Sequence, residues 1–224
     1  MGILDLVFPK TCLRCGCSGR YLCQTCIDKT PRVDAICPYC KHPSIDGTTH
    51  INCQKKFGID GLTTIWGYEG VIRKAILSLK YKYATEVGNE ISDYLISSLG
   101  SRVMPSVQYL APVPIHWHRQ NTRGFNQSAE IGKLVAASMG WKFTQDLLIK
   151  TVSTVSQTEL DRKDRRQNLR GVFSVNPLYK SSLANLKSVI IFDDVFTTGS
   201  TLMEASKVLK RGGIEKVWGL TIAR

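Results

Sequence analysis

At 224 residues, with 43% hydrophobic side chains and a mean hydropathy of −0.09, the chain has the make-up of a globular protein holding one ordinary domain plus a small one. No apolar run approaches the roughly 20 residues needed to span a bilayer, which excludes a helical membrane protein. Thirty basic against 18 acidic residues leave a net charge of +12, which suits anionic partners such as nucleotides, pyrophosphate or nucleic acid without choosing among them.

Met1 to Lys10 carries an apolar patch but neither a basic leader nor a small-residue cleavage site, and Leu6 stands where a myristoylation signal wants Ser or Thr. A cytoplasmic protein is expected. All eight cysteines then fall between Cys12 and Cys53. In a cytoplasmic chain, clustered CxxC pairs read as metal ligands rather than disulfides. Cys12 and Cys15, Cys23 and Cys26, and Cys37 and Cys40 form three such pairs, and His50 with Cys53 supplies a fourth at the same spacing. Eight donors, four to each Zn²⁺, make two closed tetrahedral sites, which is the structural rather than the catalytic form. Sequential pairing is the simplest, with Cys12, Cys15, Cys23 and Cys26 in one site and Cys37, Cys40, His50 and Cys53 in the other. Spacing alone leaves a crossed pairing open. Cys17 is left over as a spectator thiol. A segment this small buries too little apolar area to fold unaided, so metal would complete it.

Gln54 to Gly61 reads as a linker, and Thr63 to Tyr68 as a first strand. Ile72, Ala75, Ile76 and Leu79 recur at helical spacing, as do Ile91, Tyr94, Leu95 and Leu99. Between them Lys80-Tyr81-Lys82-Tyr83 is basic and aromatic: a partner surface, a place to meet a phosphate, or an exposed helix end with lysines favourable to the dipole. A second strand starts at Val107 to Ala111 and runs into Pro112-Val113-Pro114-Ile115-His116. Arg119, Arg123 and Gly124-Phe125-Asn126-Gln127 follow, with Asn126 placed to cap a helix carrying Ile131, Leu134, Val135 and Met139. Ser153 to Gly171 lacks apolar periodicity and holds Arg162, Lys163, Arg165, Arg166 and Arg170.

The most informative stretch is Val189-Ile190-Ile191-Phe192-Asp193-Asp194-Val195-Phe196-Thr197-Thr198-Gly199-Ser200-Thr201. Its apolar run fits a strand buried on both faces. Two carboxylates end that run, and a turn of small residues leads into a helix with Leu202, Ala205, Val208 and Leu209 on one face, stopped by Gly212-Gly213. At the carboxyl end of a parallel strand such a turn can surround a phosphate with backbone N–H groups, hydroxyls and a helix dipole. Asp193 and Asp194 sit one step earlier, placed to hold vicinal hydroxyls or a hydrated Mg²⁺. In strand geometry they point to opposite sides and take different roles. Val217 to Ile222 is a last strand. Strands alternating with helices predict an α/β domain with a mainly parallel sheet and helices on both faces.

This stretch resembles the phosphoribosyl pyrophosphate (PRPP) motif of type I phosphoribosyltransferases. That resemblance implies that Asp193 and Asp194 take the ribose hydroxyls and that Thr197, Thr198, Gly199, Ser200 and Thr201 take the 5′-phosphate. With Ala111 to His116, Arg123 to Gln127 and the N-terminal cysteines, the chain resembles the ComF/GntX family of competence-related proteins over nearly its whole length. In that family a zinc ribbon, here residues 1–58, precedes a phosphoribosyltransferase-like domain, here residues 59–224. His50 in place of a cysteine is the one departure. The resemblance implies that Val113 and Pro114 approach the pyrophosphate, that Arg123 neutralises it, and that Ser153 to Gly171 is a basic hood over the site.

Two functions follow. One is a transferase in which an acceptor displaces pyrophosphate from Mg²⁺-PRPP, associated with DNA uptake or nucleotide salvage. The other is a PRPP-sensing module without turnover that handles single-stranded DNA in transformation, or a partner of a DNA-uptake helicase. The expected cofactors are two structural Zn²⁺ ions, and Mg²⁺ accompanying PRPP.

Overall fold

A computed structural model describes residues 9–79, 84–115, 126–150, 171–180, 183 and 186–224. Its centre is a five-stranded parallel sheet made of β1 (Gly61–Trp66), β2 (Tyr109–Pro112), β3 (Lys142–Phe143), β6 (Ser188–Val195) and β7 (Lys216–Ala223), in the spatial order β1-β7-β6-β2-β3. Two short strands, β4 (Leu148–Lys150) and β5 (Phe173–Val175), pair antiparallel beside it. The helices are α1 (Gln24–Asp28), α2 (Gly70–Ser78), α3 (Ala84–Leu99), α4 (Gln127–Met139) and α5 (Ser200–Arg211).

Strand alternation sorts the core into two faces. Ile190 and Phe192 of β6 join Leu110 of β2 and Leu220 and Ile222 of β7 under the apolar sides of α2, α3 and α4. Val189 and Ile191 join Ala111 and Val217 under Leu202, Ala205 and Leu209 of α5. Helices therefore cover both faces, and β6 reads as a continuous apolar run because neither of its faces meets water. The helical stripe of α4 holds at Ile131 and Val135, but Leu134 is 40% exposed, so the predicted stripe is too wide by one residue.

The N-terminal segment does not hang from this sheet by a loose linker. Val33 N–H donates to the Ile65 carbonyl and Gly67 N–H to that of Pro31, so residues 31–33 run along the open edge of β1. An unpaired strand edge is a site of unwanted pairing, and this segment covers it. The predicted linker, Gln54 to Gly61, is structured as well. Ile59 is buried, and Asp60 accepts hydrogen bonds from Lys210 Nζ and from the Val217 N–H, each at 2.7 Å. One apolar residue beside one charge carries no periodic signal, which is why the sequence reads as a connector there. The first strand starts two residues earlier than predicted, and its residues Thr63 and Thr64 are buried.

Candidate functional site

The chain passes from β2 outward to β3 and returns to β6 on the other side of β2, so the connections leaving β2 and β6 run apart. In open parallel sheets the crevice at such a reversal, beyond the carboxyl ends of the strands, is where ligands bind. Two predicted loops meet there. Pro112 pairs with Phe192, and Val113 N–H donates to the Phe192 carbonyl at 2.8 Å, which sets Val113 and Pro114 beside the start of the acidic pair.

Strand β6 runs through Val195, so Asp193 and Asp194 are both in strand conformation and alternate across the sheet. Each carboxylate accepts the next backbone N–H, Asp193 from Asp194 at 2.9 Å and Asp194 from Val195 at 2.8 Å. Their surroundings differ. Burial first, and the neighbouring Asp194 charge second, hold the Asp193 carboxyl well above the usual carboxylate range, against the opposing charge of Lys150 at the end of β4. Asp194 lies close enough to Tyr68 to act on its hydroxyl, and the Arg73 guanidinium stands 5.8 Å from the centroid of that ring. Burial raises the Tyr68 hydroxyl, Arg73 opposes that shift and Asp194 adds to it. Sequence reading missed Lys150 and Tyr68, because only the folded sheet brings them to the acidic pair.

The turn after β6 is built tightly. Phe196 N–H continues the ladder to the Ala223 carbonyl at 2.8 Å. Thr198 Oγ1 lies 2.7 Å from Ser200 Oγ and accepts the Ser200 N–H, so the hydroxyls of the loop brace one another. Gly199 has φ +79°, and a Cβ there would stand 2.5 Å from Cε2 of the buried Phe196 ring. Glycine is needed for both its backbone and its missing side chain. Thr197 is exposed, and Thr198, Ser200 and Thr201 are half-buried at the start of α5.

Asn126 does more than cap α4. Its Oδ1 accepts the Ser128 N–H and its Nδ2 donates to the Val113 carbonyl, both at 3.1 Å, which ties the start of the helix to the loop leaving β2. The next residue, Gln127, is buried and donates to the Leu79 carbonyl at 3.0 Å, fastening α4 to the end of α2. Arg123, the Lys80 to Tyr83 run and nearly all of the basic segment, residues 151–170, lie outside the described residues. The strands that flank that segment, β4 and β5, are paired with each other through Leu148 and Val175.

The cysteines converge in two groups, Cys12, Cys15, Cys23 and Cys26, and Cys37, Cys40, His50 and Cys53, with all donor atoms of a group within 4.8 Å of one another. This is the sequential pairing. Cys15 and Cys23 sulfurs are 3.7 Å apart, close to the edge of a tetrahedron with Zn–S bonds of about 2.3 Å. His50 Nε2 lies 3.1 Å from the Pro43 carbonyl, so the proton sits on Nε2 and the Nδ1 lone pair faces the sulfurs, 3.2 Å from Cys40. Burial raises the Cys12 thiol, but backbone N–H groups of Cys15, Cys23 and Arg14 outweigh it and bring it down to about 6. Cys26 is pushed up to about 12 by burial and then by its neighbouring cysteines. Thiols packed this closely oppose one another's ionisation, an opposition that a shared cation would relieve. The residues fit zinc. Cys17 stands outside both groups, but its thiol is not isolated, being raised to about 12 by hydrogen bonds to Cys15 and Cys23.

The metal-ligating segment is fixed to the rest of the chain by directed bonds. Glu90 of α3 accepts the N–H groups of Tyr21 and Leu22 at 3.2 and 2.8 Å, and Tyr94 Oη donates to the Leu22 carbonyl.

No family model matches the chain. Competence protein F of Haemophilus influenzae is 37% identical over 116 residues, 51% of this chain and 50% of that protein, so the chain matches half the length of that relative. DNA utilization protein YhgH of Escherichia coli is 27% identical over 89% of each chain. Competence protein ComFC of Bacillus subtilis is 24% identical over 91% of this chain and 84% of that protein. Among solved structures, glutamine PRPP amidotransferase of B. subtilis, complexed with ADP and GMP, covers 61% of this chain and 27% of its own at 17% identity and a TM-score of 0.38. Adenine phosphoribosyltransferase of Leishmania donovani covers 61% and 52% at 13% identity and a TM-score of 0.31. The chain is thus similar in sequence to proteins named for competence and DNA utilization, and it joins an α/β fold with a parallel sheet to an N-terminal cysteine segment that can hold zinc.

Proposed function

We propose that the chain binds Mg²⁺-PRPP in the crevice between β2 and β6 and displaces its pyrophosphate with an acceptor yet to be identified, in DNA uptake or nucleotide salvage. One observation carries this reading: an acidic pair ends the central strand at the sheet's reversal point and leads directly into a braced small-residue turn at a helix start. Asp193 and Asp194 take the ribose 2′- and 3′-hydroxyls, and the backbone of Thr197 to Thr201 takes the 5′-phosphate. Val113 and Pro114 border the pyrophosphate, and Arg123 with the basic residues of Ser153 to Gly171 meets its charge. The acceptor nitrogen forms a bond to C1′ while the C1′–O bond breaks, its electron pair leaving with pyrophosphate, which takes up the proton that the acceptor nitrogen releases. Mg²⁺, when bound, offsets negative charge on that leaving group. The protein's part is to orient the ribose and exclude water rather than to form a covalent intermediate. Residues 1–58 act as a ribbon holding two structural Zn²⁺ ions on the transferase-like residues 59–224, in a cytoplasmic protein. Among the described residues no helix is long and apolar enough to cross a membrane.

A second reading is favoured by the names of the relatives, which concern competence and DNA utilization. In it the crevice senses PRPP without turnover while the basic surface binds single-stranded DNA, beside a DNA-uptake helicase. Calorimetry with Mg²⁺-PRPP tests what both readings share. Replacing Asp193 and Asp194 together by Asn abolishes binding, and full-strength binding by that variant refutes the site. Pyrophosphate release with a panel of bases and amines then separates the two: release supports the transferase, and binding without release supports the sensor.

A further inference from the structure

Gly16 and Lys41 occupy the same place in two like turns. Each follows the second cysteine of a CxxC pair and donates its N–H to the carbonyl of the first, Gly16 to Cys12 at 2.9 Å and Lys41 to Cys37 at 3.0 Å. Both have left-handed backbones, φ +76° and +65°. Glycine adopts that conformation freely, whereas a lysine holds strain there. Strain kept at one residue directs attention to what that residue touches.

Lys41 reaches across 157 positions of sequence to the turn after β6. Its Nζ donates to the Pro38 carbonyl at 2.8 Å and lies 3.6 Å from the centroid of the Phe196 ring. The same nitrogen is 3.5 Å from the Thr198 carbonyl oxygen, long for a hydrogen bond but close for a full charge beside a dipole. It would also stand 3.4 Å from a Cβ on Gly199. The peptide joining Thr198 to Gly199 is trans, so its carbonyl and its N–H point in opposite directions. An ammonium on the oxygen side polarises that peptide and strengthens its N–H as a donor on the other.

We propose that Lys41 is a positioning residue for the phosphate turn, bracing Phe196 and Gly199 from behind and polarising the Thr198–Gly199 peptide toward a bound phosphate. The proposal rests on the reading of Thr197 to Thr201 as the 5′-phosphate site. It also gives the second cysteine group a part in ligand binding, because the turn that aims Lys41 is closed by Cys37 and Cys40, two of that group's four donors.

The zinc-loaded full chain, Lys41→Gly and Lys41→Arg are titrated calorimetrically with ribose 5-phosphate, Mg²⁺-PRPP and Mg²⁺-pyrophosphate. Lys41→Gly installs the residue found at the equivalent Gly16 and melts no lower than the parent. It weakens ribose 5-phosphate and PRPP by about fivefold, the size of one modest hydrogen bond, and leaves Mg²⁺-pyrophosphate unchanged. Lys41→Arg, which keeps the charge, stays closer to the parent than to the glycine variant. Unchanged ribose 5-phosphate affinity in Lys41→Gly overturns the proposal, as does an equal loss for pyrophosphate, since either shows that Lys41 does not act on the 5′-phosphate turn. A parent chain that binds none of the three ligands defeats the phosphate reading itself, and this proposal with it.

Discussion

Replacing Gly199 by Ala tests the construction of the proposed phosphate turn against an internal control. Gly199 has φ +79°, and Gly140, the cap at the end of α4, has φ +71°. An alanine held in the left-handed region costs about 1–2 kcal/mol at either position. The surroundings then separate the two sites. A Cβ on Gly140 meets nothing within 4 Å, while one on Gly199 stands 2.5 and 2.6 Å from two ring carbons of Phe196. That ring is 3% exposed and packed among the side chains under α5, so it cannot swing aside. Forcing an atom into such a place costs about 1–3 kcal/mol more. The lost freedom of the unfolded chain is the same for both substitutions and cancels in the difference. Urea unfolding followed by tryptophan fluorescence should therefore place Gly199→Ala below Gly140→Ala by about 1–3 kcal/mol, which is several degrees in melting temperature for a chain of this size. Ribose 5-phosphate binding should fall in Gly199→Ala and hold in Gly140→Ala. Equal stabilities would show that the Phe196 ring yields, and the account of it as a rigid support would fail.

Two other outcomes follow from the same geometry. Burial and Asp194 hold the Asp193 carboxyl above its unfolded value, so the group favours the folded state below the ordinary aspartate range of about 3.9, and that contribution is lost as pH rises through the raised value. Asp193→Asn keeps an oxygen for the Asp194 N–H and drops the charge, so in the absence of ligand it should melt higher than the parent at neutral pH and lose that advantage in acid; a variant no more stable at neutral pH refutes this. Metal analysis of the purified chain should return two zinc ions, unchanged in Cys17→Ser and lowered in Cys53→Ser; a single zinc in the parent would show that one of the two groups does not bind.

What could be read in the sequence follows from the range of the interactions. Strand β6, the acidic pair and the turn are contiguous, and a strand buried on both faces writes itself as a run of apolar residues. The cysteine groups were legible for a similar reason, since each closes within a few tens of residues. Strands β3 to β5 were missed because two or three residues carry no period. Asn126 was read as a cap, but its second bond, to Val113, depends on how β2 lies against α4. Lys41 carries no motif of its own, and its significance comes from a contact that exists only after β6 is in place.

The cysteine segment also accounts for how the edge of the sheet is closed. Too short to bury a core of its own, it lends Leu22, Cys26 and Ile27 to the face under α2 and α3, and Ile36 to the face under α5. Between these two halves, residues 31–33 pair along β1. One excursion of chain thus wraps the edge from face to face, with a four-donor group fastening each half. Metal binding to such groups is coupled to the folding of the segment that carries them. If each group holds a metal ion, extracting it from the first would loosen the side held by Glu90 and Tyr94. Extracting it from the second would loosen the turn that carries Lys41, and with it the rear of the proposed phosphate turn. The first group offers four thiols and the second three thiols and an imidazole, and it is the second whose turn carries Lys41 to Phe196 and Thr198, so ligand affinity should follow its occupancy and be indifferent to that of the first.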